Sequence, residues 1–484
     1  MKDLKQKAVK GFFWSGVEKI GKQVIQFILG IMIARILTPA DYGIMGLIGI
    51  FMAISGLILD SGIGSALIQK KDRTDTDFST AFILNIFTGL VLYLILFFSA
   101  PFIAVFFRIP ILKSIIRVYA ITLLINSFFI IQKARLSISF SFKEQAIISI
   151  IALTAGGLLG IFLAKKNYGV WALVFYSIAE SLVSLLLYSF VTRWQIKLSF
   201  SKKSLKNLFS FGMNILGANI LTTLYNNLHT LVIGKKMNTF NVGIYNRGKN
   251  FAEIPSTITS QILMRVSYPI FSELQDDDEK FQRAFFKILY TEIYILTPIL
   301  AGMIILATPI IMFLLGKKWE DCIPIMQILC TGALWIPLID TNINALYAKG
   351  KAKSILIFNT IQKPLAVLIL LISLHFGLKW MCICNTFTSL ISFFSIAIMV
   401  HKQLNFSFFT QIKQISITTI ETTIMMFIIF ISTRFIDSYI LKLCLGFIIG
   451  IAVYVIEGII TKNEILYSLA KIFESKMKIT KKEN

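Results

Sequence analysis

Ser15, Lys19, Lys22 and Gln26 recur at i, i+4, i+7 and i+11. That spacing sets their side chains on one helical face. Two ammonium groups flanked by a hydroxyl and a carboxamide inside an apolar run can do one of two things. They line a hydrated cationic cleft, or they reach back to the headgroups, since both lysines lie within about three turns of the helix start. A second stripe, Asn219, Thr222 or Thr223, Asn226 and Thr230, repeats the pattern 200 residues on without the charge. A charged side chain at mid-bilayer costs at least about 2.5–3.5 kcal/mol, so it normally faces a cavity or a partner. Arg117, with Lys113 one turn before it, and Lys363, followed by Pro364, are further cationic candidates. The acids within apolar runs are Asp60, Glu180, Glu253, Glu292, Asp340, Glu421 and Glu457. Asp340, flanked by Thr341, Asn342 and Asn344, is the best ion-coupling candidate, for H+ or Na+.

Covalent chemistry finds no foothold. The sequence holds no P-loop, His-Glu-x-x-His or Gly-x-Ser-x-Gly pattern, and its three histidines are scattered. Cys382-x-Cys384 lacks the companion ligands that a zinc site needs. Asp276-Asp277-Asp278-Glu279 reads as a solvated loop, and Gly156-x-x-x-Gly160 as a helix-packing step. The expectation is a non-enzyme with no catalytic residue, no metal and no cofactor.

The elements that must position these side chains follow from composition. The chain has 484 residues, 56% hydrophobic and 15% charged, with a mean hydropathy of +0.76. Soluble domains are about 45–50% apolar and about 25% charged, so there is too little polar residue to cover soluble domains. The apolar runs are long and continuous, unlike barrel strands. They predict an all-α polytopic membrane protein with about fourteen spans, each of about 20 residues or more, from 12–37 to 439–461. The excess of 48 Lys and Arg over 25 Asp and Glu sits mostly at the ends of these runs. It suits anionic lipid rather than nucleic acid. Basic residues on one set of alternating loops, beginning with Lys2, Lys5, Lys7 and Lys10, outnumber those on the other set. That bias places both termini in the cytoplasm, with an uncleaved first span.

Sliding the chain on itself aligns 35–44 with 235–244 and, less closely, 167–169 with 375–377. The two matches predict a six-helix half at 1–200 and another at 203–402. An added helix pair at 403–462 and a basic cytoplasmic tail at 463–484 complete the chain. Parallel repeats of this kind build many secondary transporters.

Ala34-Arg35-Ile36-Leu37-Thr38-Pro39-Ala40-Asp41-Tyr42-Gly43 and Leu59-Asp60-Ser61-Gly62-Ile63-Gly64-Ser65-Ala66-Leu67-Ile68-Gln69 resemble the first hairpin of bacterial polysaccharide-biosynthesis flippases. Those belong to the multidrug/oligosaccharidyl-lipid/polysaccharide exporter superfamily. Phe140-Ser141-Phe142-Lys143 and Tyr168-Gly169-Val170-Trp171-Ala172-Leu173-Val174 are also similar to that family. So are Val242-Gly243-Ile244-Tyr245 and Ala348-Lys349-Gly350-Lys351 in the second half. The resemblance implies a two-lobed carrier of an undecaprenyl-diphosphate-linked oligosaccharide, moving it from the inner to the outer leaflet of the plasma membrane by alternating access. Lys19, Lys22, Arg117 and Lys363 would then meet the pyrophosphate, and Gln26, Asn219, Asn226 and Asn344 the sugar. Glycan polymerase machinery would be its partner. Three other readings stay open, one of them a lipid scramblase without specificity, against which a polar cleft discriminates poorly. A drug/cation antiporter would want an acidic cavity, and a membrane glycan polymerase or ligase would want a large outer loop.

Overall fold

The structure is a computed structural model. It describes residues 2–60, 64, 67, 70, 72–194, 199–463 and 465–467, with side chains for these except 2–13, 203, 206–216, 218 and 219. Among the described residues every regular element is helical. Two compact units divide at Gly243/Ile244, inside a helix rather than in a loop.

The first unit holds α1 (Lys2–Ile36), α2 (Pro39–Asp60), α3 (Asp75–Phe107), α4 (Ile111–Tyr119), α5 (Ile121–Ile138), α6 (Phe142–Lys165), α7 (Trp171–Thr192) and α8 (Lys202–Lys236). It also includes the start of α9 (Thr239–Glu273). The second unit continues with α10 (Asp278–Ile305), α11 (Ala307–Leu314), α12 (Cys322–Ala333), α13 (Trp335–Ala348), α14 (Ala352–Ser373), α15 (Leu378–Leu404), α16 (Phe408–Thr433) and α17 (Tyr439–Ile460). Eleven segments among the described residues are long and apolar enough to cross a membrane. The protein is a multi-pass membrane protein.

Three expected spans are broken. The predicted ninth span, 284–315, stops at Ile305 and restarts at Ala307. The predicted tenth, 321–348, breaks between Ala333 and Trp335. In both, a proline follows the last residue of the first piece by four positions, Pro309 after Ile305 and Pro337 after Ala333. A proline ring meets the carbonyl four residues back and offers no N–H to it, so the helix reorients there. The fourth span breaks at Ala120 with no proline to account for it.

Helix starts are written in polar residues. Ser201, Asp277 and Ser407 each accept a backbone N–H three residues on, at the starts of α8, α10 and α16. Thr74 and Asp77 form a reciprocal capping box at α3. Asp77 is almost wholly buried and also takes the Lys70 ammonium, at 2.6 and 2.7 Å from its two oxygens. Asp77→Ala removes the reciprocal half of the capping box, the acceptor of the Thr74 N–H, and strands Lys70. We expect it to cost about 2–3 kcal/mol, read as a lower melting temperature of the detergent-solubilised protein; an unchanged melting temperature would refute this role.

The two segments matched at 35–44 and 235–244 meet in space. Thr38 and Asp41 cap α2 reciprocally, the Thr38 N–H reaching Asp41 Oδ2 at 2.9 Å and the Asp41 N–H reaching Thr38 Oγ1 at 3.3 Å. Asn238 accepts the Asn241 N–H at 2.8 Å at the start of α9. These two helix starts, 200 residues apart in sequence, touch. A Cβ on Gly43 would lie 1.7 Å from the Thr239 carbonyl oxygen, and one on Gly243 would lie 1.8 Å from that of Pro39. Each glycine thus admits the first turn of the other's helix, a reciprocal contact with two-fold character.

The Gly156 step works as packing. A Cβ there would lie 2.7 Å from the Tyr176 carbonyl oxygen on α7. The first unit buries Leu29, Ile33, Leu153 and Leu173 in one cluster. The second buries Phe271, Phe281, Phe285 and Phe393 with aliphatic partners.

Candidate functional site

Inside the first unit, α1, α2, α4, α5, α6 and α7 enclose a polar cavity of about 350 Å³. Two cations line it, Lys22 of α1 and the exposed Lys133 of α5; the Lys22 Nζ lies 3.8 Å from Glu180 Oε1 on α7. Both side chains keep partial access, at 41% and 27% exposure, so this pair is wet and breakable. One turn before Lys22, Glu18 accepts the Ser149 hydroxyl of α6 at 3.1 Å.

The rest of the lining is hydroxyl, amide and aromatic. Ser177, Glu180, Ser181, Ser184 and Tyr188 come from α7 at i, i+3, i+4, i+7 and i+11, and Tyr119, Thr122 and Asn126 from α4 and α5. Tyr188 stacks on Phe129, with centroids 5.3 Å apart and planes 4° from parallel. A pocket with two lysines, several hydroxyls and aromatic faces can take a polar ligand carrying both negative charge and hydroxyl groups.

The other expected site residues are placed as follows. Lys19 and Gln26 are exposed on α1, and neither lines this cavity. Arg117 on α4 donates Nε–H to the Phe97 carbonyl at 3.2 Å and lies 4.2 Å over the Phe97 ring, held by α3. The Asn219 side chain lies outside the described residues. Asn226 is exposed on α8. In the second unit, Lys363 is half-buried on α14 one residue before Pro364, and Asn344 is buried on α13. Asp340 is half-buried and faces Ser260 of α9. Of the four cationic candidates, Lys22 is the one found in the polar cavity.

The serine stripe of α7 went unread. It has the same period as the α1 stripe and was legible in principle. Single serines in an apolar helix usually bond to their own backbone, as Ser177 does to Leu173, so composition does not distinguish lining from filler.

The second unit carries an apolar cavity of about 610 Å³, walled by α10, α11, α16 and α17 through residues such as Ile299, Leu306, Ile429 and Phe447. No group of three or more metal-ligating side chains occurs among the described residues.

Residues 32–324 match the family described as polysaccharide biosynthesis protein. An uncharacterized membrane protein in the cps region of Klebsiella pneumoniae is 26% identical over 97% of this chain and 98% of its own length. The succinoglycan biosynthesis transport protein ExoT of Rhizobium meliloti is 24% identical over 78% of this chain and 77% of its own. Among solved structures, lipid II flippase MurJ in an inward closed conformation superposes with a TM-score of 0.72 at 17% identity. It covers 93% of this chain and 99% of that one, a likeness of fold.

Proposed function

From the premise that this chain belongs to the polysaccharide biosynthesis protein family, we propose that it is a flippase for an undecaprenyl-diphosphate-linked oligosaccharide. It carries the repeat unit from the inner to the outer leaflet by alternating access, as a transporter and not an enzyme. The observation that carries this reading is the polar cavity of the first unit, built into an otherwise apolar helical bundle. Lys22 supplies the charge for a pyrophosphate oxygen, leaving Glu180 when the anion arrives. The α7 hydroxyls and Asn126 meet sugar hydroxyls, and Tyr119 and Tyr188 offer aromatic faces. Lys19, Arg117 and Lys363 contribute further positive charge along the route, with Gln26, Asn219, Asn226 and Asn344 as its hydrogen-bonding groups. The apolar cavity beside α16 and α17 suits a prenyl chain, since it buries carbon against carbon.

The membrane is the bacterial plasma membrane, with both termini in the cytoplasm, as the basic-residue bias supports. Glycan polymerase machinery on the outer side takes the product. Transport without a nucleotide site draws on an H+ or Na+ gradient, with Asp340 as a coupling group.

Reconstitution tests this directly. Proteoliposomes containing the full chain should render lipid-diphosphate oligosaccharide in the far leaflet accessible to an added glycan-modifying enzyme, while protein-free vesicles should not. Efflux of a cationic dye without any movement of the glycolipid would instead favour a drug antiporter.

A further inference from the structure

We propose that Glu292 is a proton-binding site whose loading and release couple transport to protons; the coupling half of this rests on the transporter reading above. Glu292 sits near the middle of α10 and is 1% exposed. The Thr341 hydroxyl of α13 donates to its Oε1. Its Oε2 is buried with no hydrogen-bond partner among the described residues. The neighbourhood is polar, and the charged group recorded as acting on Glu292 is another acid, Asp340. Asn342 is fully buried and donates to the Leu338 carbonyl at 2.8 Å and to Gln411 Oε1 of α16 at 3.3 Å. Asn342 Oδ1, Gln411 Nε2 and Thr418 Oγ1 are likewise buried without partners among the described residues.

An ionised carboxylate sealed from water with no cation beside it costs many kcal/mol, and such a group is neutralised instead. The vacant valence is on Oε2, so the proton sits there, and Oε1 stays an acceptor for Thr341. The balance is simple: the carboxylic acid gives one carboxylate and one proton when the site is wetted, and the reverse reloads it. A metal ion fits poorly, because the one ligand within bonding distance of the carboxylate is a hydroxyl already aimed at it as a donor. Asp340, the residue before Thr341, is half-buried and faces Ser260.

The charged neighbours on the packed helices decide what else acts on Glu292. From α13, Asp340 adds negative charge while its own side chain faces Ser260; Tyr347 of that helix is exposed. From α16 and α17, Glu421 and Glu457 act on Tyr294 instead, and Lys413 is exposed. Tyr454 of α17 bonds to the Tyr294 carbonyl, while Tyr439 and Cys444 of that helix are exposed and Lys442 is half-buried. From α12 the titratable groups are the buried thiols Cys322 and Cys330, and α11 contributes none.

The test uses the reconstituted full chain with Glu292→Gln, which keeps shape and neutrality, and Glu292→Asp, which keeps the acid. First, infrared difference spectra between high and low pH should show a protonated carboxyl band that is missing in Glu292→Gln and present in Glu292→Asp. Second, a pH gradient of one unit should bias the leaflet distribution of lipid-diphosphate oligosaccharide by about tenfold for one coupled proton. The Glu292→Gln protein should still equilibrate the lipid but ignore the gradient. An infrared band unchanged by Glu292→Gln overturns the proposal. So does a gradient response retained by that variant, or a drive that follows Na+ at constant pH. If the band behaves as expected but no protein moves the glycolipid, the proton site stands and the flippase reading falls.

Discussion

Alanine at Gly43 or at Gly243 is expected to damage this protein more than any other single methyl group added to a helix. Each new Cβ would sit 1.7 or 1.8 Å from a backbone carbonyl oxygen, where no rotamer change can relieve it. Ordinary overpacking costs about 1–3 kcal/mol; here a helix start must move, so the loss should lie at or above the top of that range. The expected result is a fall in folded yield, or a drop of at least several degrees in melting temperature. The contact is reciprocal, so one displacement relieves both clashes. The double variant should therefore cost clearly less than the sum of the singles. Gly49→Ala on the same α2 is the control. Nothing lies within 4 Å of where its new Cβ would stand, and alanine is the better helix former by about 1 kcal/mol. Equal damage from Gly49→Ala and Gly43→Ala would contradict this account.

The second large effect concerns Lys22. Its pair with Glu180 is partly exposed and 3.8 Å long, which contributes at most about 1 kcal/mol to stability. Lys22→Gln should therefore leave membrane abundance nearly unchanged. Its charge-assisted bond to a phosphate oxygen is worth about 1.5–3 kcal/mol, so export should fall about tenfold or more. Lys22→Glu should be worse, since it sets two carboxylates against each other in the same cavity. Surface polysaccharide per molecule of membrane-inserted protein is the measurement. If Lys22→Gln and Lys22→Glu both export normally, the cavity is not on the substrate route.

Much of the architecture was legible because the bilayer imposes it. Twenty-residue apolar runs and alternating basic loops leave few choices; the caps at Thr74, Ser201, Asp277 and Ser407 lie outside the apolar runs and were not read as helix starts. The segment Thr38-Pro39-Ala40-Asp41-Tyr42-Gly43 carried a resemblance before its physics was evident. Thr38 and Asp41 cap, Tyr42 donates to the Gly30 carbonyl, and Gly43 makes room. The breaks at Ile305 and Ala333 could have been read from Pro309 and Pro337. Proline alone does not mark a break, because Pro101, Pro298 and Pro364 sit inside unbroken helices. The break at Ala120 has no such mark.

The site was legible in part. The α1 stripe pointed to Lys22, but periodicity alone does not separate it from Lys19, one turn away and exposed. Arg117 illustrates the limit. This half-buried arginine finds its partners in a backbone carbonyl and a ring on α3, which no one-dimensional pattern records. Glu292 stood in the sequence as one acid among seven. Its isolation is apparent only once α13 sets the Thr341 hydroxyl against one carboxylate oxygen and leaves the other without a partner among the described residues.

The central claim is that this chain moves lipid-linked oligosaccharide across the plasma membrane. The most direct test is the leaflet location of undecaprenyl-diphosphate-linked repeat units in cells lacking the protein. The account predicts that they accumulate on the cytoplasmic face and that re-expression of the wild-type chain releases them. Units that still reach the outer face but stay unpolymerised would contradict it.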